Sequence, residues 1–552
     1  MLLQSKTKSL TLGLLLVATS ACAQINTARV MDIGRNALYF DDYLLAIQYF
    51  NRVIDSKPYL YEPYFYRGLA KFYLEDYTGA EKDCTRAIEI NPYFPDTYEV
   101  RGLSRINLDR YDLASEDYAQ AVAMEPEKQG LWHNWVLCNL ETKNVAKADS
   151  ISETLVKRWP KHADGYLLKS QIALEQQDTV RAEVYVDSAL VREHYNVAAL
   201  SMKASCLLRR QEWSGADTLL TEAIKLQPKN IHNILNRAIA RYNLNNLRGA
   251  MADYNLALDL DPVNYIAHYN RALLRTQVGE NNDAIEDFNF ILKIDPDDVM
   301  ATYNRAELLM ETGDYAAAVK DYDKIIKQYP NFWQGYLRRA EAKQLLGDKR
   351  GAERDRNHVV NEQIAYYNGL KTTATKRGPQ TRKESQINLE EYDKLIVEDE
   401  EEKQYASEYR GKVQNKEVGL QFLPPMSVPD YQQEQYAAAK TFSTALEHLL
   451  LQEYQLAMPL LNEAVEAAPN QPLCYYNRAY AYAMTQQYAA AIADLDKVIE
   501  LQPNFPQAHF NRAIANVLTN NNKAAVPDLS IAGEGGIYQA YSILKRISAK
   551  KK

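Results

Sequence analysis

Proline recurs along this chain at a fixed interval of 34 residues, for example at positions 58 and 92. The series is Pro58, Pro92, Pro126, Pro160, Pro228, Pro262, Pro296 and Pro330, and His194 fills the one slot without proline. An alanine precedes each slot by twelve residues: Ala46, Ala80, Ala114, Ala148, Ala182, Ala216, Ala250, Ala284 and Ala318, and Ala352 continues the column. This period predicts stacked copies of one supersecondary unit.

Simple physical chemistry gives each unit two helices. A unit of this length accommodates two helices of about 12 to 14 residues each, and helices that short are marginal alone. Proline lacks the N–H and disfavours helix in the residue before it, so it ends the second helix. Each unit can bury its apolar face only against its neighbours. The sequence therefore predicts an all-α superhelical solenoid with a concave and a convex surface.

Two further columns make the pattern specific. Small residues recur early in the first helix, at Gly34, Gly68, Gly102, Ala204, Ala238, Ala272, Ala306 and Ala340. Large aromatic residues recur in the second helix, at Phe50, Tyr118, Tyr254, Phe288 and Tyr322. Together with the alanine and proline columns, these residues resemble the tetratricopeptide repeat (TPR). The resemblance implies protein–protein interaction, and it covers ten units over about residues 27–361.

The period divides the rest of the chain. It is lost over residues 362–433, a charged insertion in which we expect a helix over Asn388–Tyr405 and a short hairpin over Lys412–Leu423. It resumes over residues 434–532 as a second array of three units, marked by the alanine pairs Ala445 and Ala457, Ala479 and Ala491, and Ala513 and Ala525. Residues 533–552 are expected to form a capping helix and a basic tail.

The first 23 residues are expected to be a secretory signal peptide. Lys6 and Lys8 precede an apolar run over residues 10–18, and small residues follow it. Cleavage before Gln24 would release a soluble periplasmic or envelope-associated protein, whereas cleavage before Cys22 would leave a lipid anchor there. Lipoproteins usually carry leucine three residues before that cysteine, and this chain has Thr19. We therefore favour the soluble form, and no later stretch is apolar enough for a transmembrane span.

Composition and motifs argue against other classes of function. The net charge of -8 disfavours nucleic acid as the general partner. No phosphate-binding loop, metal-binding histidine pair, nucleophile elbow or cysteine pair occurs, so we expect no catalytic residue, metal or other cofactor, and no enzyme. Cys84, Cys138, Cys206 and Cys474 lie far apart and are expected to be buried helix residues without a structural disulfide.

The concave face offers the candidate binding site. Position 6 of the first helix is Asn236, Asn270 and Asn304 in three consecutive units, Arg338 in the next, and Asn477 and Asn511 in the second array. An amide side chain both donates and accepts, so a row of them can pair with the backbone of an extended peptide. Lysines that complete a chaperone-tail clamp in some TPR domains are replaced here by His232, Ile266, Met300 and Gln334.

Two interpretations of this column stay open. The asparagines and the adjacent Arg237, Arg271, Arg305, Arg478 and Arg512 can instead be consensus residues with a helix-packing role. At the level of function, the first hypothesis is a non-catalytic envelope scaffold whose grooves bind partner polypeptides. The alternative is a structural or oligomerisation element that uses its convex faces and has no peptide ligand.

Overall fold

A computed structural model describes residues 26–367, 405–406, 409, 419–427 and 439–549. The expected signal peptide and nearly all of the expected helix over Asn388–Tyr405 lie outside these residues. Within them the chain forms 27 α-helices and no strand, so the predicted all-α fold is confirmed.

The first twenty helices form ten consecutive pairs. They are α1 Thr27–Tyr39, α2 Tyr43–Ser56, α3 Glu62–Tyr73, α4 Tyr77–Ile90, α5 Pro95–Ile106, α6 Tyr111–Met124, α7 Gln129–Glu141, α8 Val145–Arg158, α9 Asp164–Glu175, α10 Thr179–Arg192, α11 Val197–Arg209, α12 Trp213–Leu226, α13 Ile231–Asn243, α14 Leu247–Leu260, α15 Tyr265–Gln277, α16 Asn281–Ile294, α17 Val299–Thr312, α18 Tyr315–Gln328, α19 Trp333–Leu345 and α20 Lys349–Tyr367.

Seven helices follow in the C-terminal region. They are α21 Ala439–Leu450, α22 Tyr454–Ala467, α23 Pro472–Met484, α24 Tyr488–Leu501, α25 Pro506–Leu518, α26 Asn522–Glu534 and α27 Gln539–Ala549. The first six are three further pairs. The last helix packs Ile543, Leu544 and Ile547 into the same apolar cluster as Phe510 of α25.

Capping residues and a left-handed turn fix the boundaries of each pair. Many of the helices begin after an Asp or Asn whose side chain accepts a backbone N–H of the first turn, as Asp42 does from Leu45. Between the two helices of a pair, one residue adopts positive φ, a conformation that favours glycine. Gly279, Gly313 and Gly347 occupy this position in three units, whereas residues such as Gln177 and Gln486 occupy it in others.

The predicted columns form the core. Every alanine of the column from Ala46 to Ala318 is completely buried, and so are the large residues Phe50, Tyr118, Tyr254, Phe288 and Tyr322. A methyl side chain lets the two helices of a pair approach closely, and the aromatic ring fills the layer beside it. The repeat period therefore reflects close packing repeated along the chain.

The arginines that follow the position-6 residues hold neighbouring helices together. Arg237 donates two hydrogen bonds to Asp253, at 3.0 and 2.7 Å, and Arg512 makes the same bidentate pair with Asp528. The pattern recurs for Arg67, Arg101, Arg271, Arg305, Arg339 and Arg478, each with the aspartate sixteen residues on. The arginine column thus has a structural role, because planar pairing fixes one helix against the next.

The described residues group into two compact units. Unit 1 consists of residues up to 155 and from 405 onwards, and unit 2 of residues 156–404. In unit 1 the C-terminal helices pack on the N-terminal repeats, because Tyr541 of α27 lies in a cluster with Tyr43, Ile47, Ala70 and Leu74. The repeat pattern alone did not indicate this contact.

The insertion is described only in part. Residues 419–427 contain no strand, so the described end of the expected hairpin is not a strand, and Leu420 and Phe422 pack against repeat helices. The tenth pair also extends past Asn361, because α20 continues to Tyr367. Residues 412–418 lie outside the described residues.

Two chemical expectations concern the cysteines and the membrane. Cys84, Cys138 and Cys474 are buried and Cys206 is half-buried, and all four are free thiols. Burial raises the pKa of the Cys84 and Cys206 thiols, which makes them poor nucleophiles. Among the helices that the structure describes, none combines the length and apolarity that crossing a bilayer requires.

Candidate functional site

The position-6 side chains all lie on first helices of their pairs. Asn236, Asn270 and Asn304 belong to α13, α15 and α17 in unit 2, and Arg338 to α19. Asn477 and Asn511 belong to α23 and α25 in unit 1. All five asparagines are at most 6% exposed. A buried amide needs hydrogen-bond partners, and several of these partners are defined in each unit.

In unit 1 the partner is an extended stretch of the same chain, which we call the proline segment (residues 419–427). Asn511 accepts the Leu423 N–H at 2.7 Å and donates to the Leu423 carbonyl at 3.2 Å. Asn477 accepts the Met426 N–H at 2.9 Å and donates to the Met426 carbonyl at 2.8 Å. Each amide therefore pairs with both backbone groups of one residue.

Aromatic residues complete the binding site of the proline segment. The Tyr476 hydroxyl donates to the Pro424 carbonyl at 3.3 Å and accepts from Asn511 at 3.1 Å. Phe422 stacks on Tyr488 with ring centroids 6.4 Å apart. Leu423 packs against the cluster around Phe510, so the groove combines backbone pairing with apolar pockets.

A second stretch of the chain binds in the N-terminal repeats of unit 1 through a residue that the sequence analysis missed. Asn134 of α7 accepts the Ala406 N–H and donates to the Ala406 carbonyl, both at 2.7 Å. Gly130, one turn earlier, leaves room for this approach, because a Cβ there would lie 3.3 Å from the Ala406 Cβ. Asn134 stands three repeat lengths before Asn236, so the same column could have revealed it.

In unit 2, Asn304 has the same kind of tyrosine partner as Asn511. Asn304 donates to the Tyr269 hydroxyl at 2.9 Å, which reproduces the bond between Asn511 and Tyr476 at the same sequence separation. The Asn236 amide lies 2.9 Å from His232 Nε2. In unit 1 one amide nitrogen serves both a tyrosine and a peptide carbonyl, so the tyrosine bond is compatible with peptide binding.

Arg338 has a different environment from the asparagines. Its guanidinium donates to Glu307, and to Glu341 at 3.1 Å. Burial acts against its charged form, but the carboxylate of Glu307 outweighs it and raises the pKa of Arg338. Arg338 is therefore a permanent cation in an ion pair, and it ends the row of amides in unit 2.

The chemical groups of the candidate site are ones that bind polypeptides. In the part of the chain that the structure describes, no group of three or more His, Cys, Asp or Glu side chains could hold a metal ion. The site consists of neutral amides, aromatic rings and apolar pockets. Such groups bind polypeptide backbone and supply neither a nucleophile nor a general base of their own.

Comparisons with known proteins agree with a helix-pair repeat. Two tetratricopeptide-repeat family models match, one over residues 275–331 and the other over residues 472–505. No curated protein sequence matches the chain.

Several solved structures are similar to parts of the chain. One is pilF of Pseudomonas aeruginosa, with 16% identity, 40% of this chain and 98% of that chain covered, and a TM-score of 0.35. Another is a tetratricopeptide repeat protein from Parabacteroides merdae, with 16% identity, 64% and 98% covered, and a TM-score of 0.27. A third is the Cut9-Hcn1 hetero-tetramer of the APC/C, with 13% identity, 97% and 98% covered, and a TM-score of 0.32.

The helix pairs, the buried small and aromatic columns and the matched family models define a repeat protein of the helical solenoid class. Over residues 275–331 and 472–505 the chain is similar to the tetratricopeptide-repeat family. Proteins of this family typically mediate protein–protein interaction.

Proposed function

We propose that this protein is a non-catalytic scaffold that binds extended segments of partner proteins in the groove of unit 2, through Asn236, Asn270 and Asn304. The observation that carries the proposal is the capture of Leu423 and Met426 in unit 1, where Asn511 and Asn477 bond both backbone groups of one residue each. The three amides of unit 2 occupy the same position on three consecutive repeats.

Backbone pairing explains how such a site would work. Each amide offers one acceptor and two donors, so it matches the N–H and C=O of any residue except proline. A net contribution of about 1 kcal/mol per hydrogen bond makes three such residues sufficient for measurable affinity. Specificity would then come from apolar pockets beside the row, to which Ile239 and Leu273 contribute at position 9 of their units.

The test compares two triple variants in a crosslinking pulldown from an extract of the source cells. Asn236, Asn270 and Asn304 are changed to Ala in the first. The control changes Asn282, Asn331 and Asn357 to Ala, which are exposed asparagines of the same unit. We expect partners that crosslink to α13, α15 or α17 to be lost at least tenfold with the first variant and retained with the control.

Persistence of the same partners with the first variant would contradict the proposal. Partners that crosslink only to convex faces would favour a structural or oligomerisation element instead.

We also propose that the protein acts in the cell envelope. The support is the sequence of the first 23 residues, with Lys6 and Lys8 before an apolar run. Fractionation and N-terminal sequencing of the mature protein test this. A start at Gln24 would indicate a soluble form, a lipid on Cys22 an anchored form, and an intact Met1 in the cytoplasm would refute export.

A further inference from the structure

The proline segment shows the step at which a peptide advances along the repeats, and a second stretch of the chain shows the same direction. The residues held by Asn511 and Asn477, Leu423 and Met426, are three apart, and the asparagines are one repeat apart. In the N-terminal repeats Ala406 bonds to Asn134, and Tyr409, three residues on, packs in the cluster of Phe65 and Val100 from the two repeats before that of Asn134. In both places the bound chain runs opposite to the order of the repeats.

A step of three residues identifies the backbone conformation. In a β-strand, residues an even number apart share a face, so residues three apart would point their backbone groups differently. A polyproline II helix has three residues per turn and presents every third residue to the same side. Its rise of about 3.1 Å per residue gives about 9 Å per turn, which is comparable with the roughly 8–10 Å typical of packed helices. The first helices of the two repeats, α23 and α25, are in contact.

The sequence of the proline segment agrees with this conformation. Pro424 and Pro425 lie between the two held residues, and each fixes its own φ near −65° and restricts the residue before it to extended backbone. Neither proline has an N–H, so neither could occupy a held position. Prolines are therefore favoured between held positions and excluded at them.

We infer that the groove of unit 2 binds a polyproline II segment of a partner protein, one turn per repeat, running opposite to the repeats and with prolines only between the held residues. This inference rests on the proposed function and specifies the ligand. Asn304, Asn270 and Asn236 would hold residues i, i+3 and i+6, because the three amides lie on consecutive repeats. Apolar side chains at and beside the held positions fit the ligand seen in unit 1, where Leu423, Met426 and Phe422 pack on the helices.

The test uses a synthetic peptide with the sequence of residues 420–426, whose residues 420, 423 and 426 have the required spacing. Its binding to the purified protein is measured by fluorescence anisotropy. N-methylation of Leu423 in the peptide removes the N–H at a held position and keeps the side chain. N-methylation of Gln421, which is exposed in unit 1, is the matched control.

We expect N-methylation at Leu423 to weaken binding about tenfold and N-methylation at Gln421 to leave it nearly unchanged. A Gln421→Pro peptide should bind at least as tightly as the parent, because the added proline preorganises the helix. The Asn236, Asn270 and Asn304 triple variant should lose binding, whereas a protein with Asn477 and Asn511 changed to Ala should keep it.

The outcomes separate the two proposals. In one outcome, peptide binding needs the unit 2 asparagines, but it is weakened by N-methylation of Phe422 and not by N-methylation of Leu423. This result would overturn the polyproline II register and leave the proposed function standing. Equal effects at Gln421 and Leu423 would do the same. If the peptide does not bind, but a partner protein in the pulldown still requires the unit 2 asparagines, the inferred ligand would be refuted. Binding lost only with the Asn477 and Asn511 variant would place the peptide in unit 1 and refute the assignment to unit 2.

Discussion

The same asparagine column recurs in both units, and in unit 1 its peptide partners are defined. In unit 1, Asn134, Asn477 and Asn511 bind stretches of their own chain through both backbone groups. In unit 2, Asn236, Asn270 and Asn304 keep the position, the burial and, at Asn304, the tyrosine partner of that arrangement. The comparison teaches that one repeat position can serve internal cohesion in one region and, as we propose, partner recognition in another.

A lysine column shows a second contrast between the units. Lys71 is fully buried in unit 1, where its ammonium group lies 2.8 Å from Asp83 and 2.5 Å from Glu534 of α26. Lys343 stands eight repeat lengths later in unit 2 and pairs with Asp355 at 2.8 Å, but 19% of its side chain is exposed. Burial acts against the charge of Lys71, and the nearby carboxylates still raise its pKa, so the lysine stays charged.

The largest expected effect comes from replacing the buried lysine. Lys71→Met removes the buried ammonium group that lies between Asp83 and Glu534 and leaves these two carboxylates to share Arg67. It should destabilise unit 1 by about 3 kcal/mol, because the buried Asp83 loses one of its two cations. Lys343→Met is the matched control and should cost about 1 kcal/mol or less. Hydrogen exchange of the α3 and α19 amides measures both free energies of opening. Equal losses in the two variants would contradict the contrast in burial.

A smaller effect is expected when the proline segment loses its asparagines. With Asn477 and Asn511 changed to Ala, four hydrogen bonds to the segment are lost, and opening of the segment should become easier by about 2–3 kcal/mol. The amide protons of Leu423 and Met426 should then exchange roughly 30 to 150 times faster. Asn504→Ala, at an exposed loop asparagine of the same unit, is the control. Unchanged exchange would mean that apolar packing alone holds the segment.

The smallest expected effect concerns the left-handed turn inside each pair. Gly313 has φ of 86° in unit 2, and Gln486 has φ of 61° at the equivalent position in unit 1. Gly313→Ala should destabilise its repeat by about 1 kcal/mol, because a Cβ is disfavoured in this conformation. Gln486→Gly should relieve the same strain but raise the conformational entropy of the unfolded chain. The net increase in the free energy of unfolding should be about 0.5 kcal/mol. Thermal unfolding of both variants checks the signs, and a stabilising Gly313→Ala would refute the argument.

The candidate site was only partly predictable. The column of Asn236, Asn270, Asn304, Asn477 and Asn511 follows from repeat position alone, and the structure buries every member on a first helix. Arg338 was predicted as part of the same groove, but its pairing with Glu307 involves a residue of the preceding repeat that nothing in the local sequence singles out. That these residues bind a partner stays a prediction. Asn134 was missed because its neighbours in the column, Val100 and Leu168, break the row.

The sequence by itself determined the repeat. Alanine, aromatic and proline columns act within one unit and its neighbours, and such short-range packing is visible as a period. Only the tertiary structure decided which segment fills the groove of unit 1 and which carboxylate pairs with Lys71 from the C-terminal helices. The bonds from Asn511 to Leu423 and from Lys71 to Glu534 join residues far apart in the chain, and an aperiodic segment carries no pattern that names its distant partner. Pairing between residues far apart in the chain depends on the curvature that many stacked repeats produce together. The local sequence around either residue does not encode that curvature.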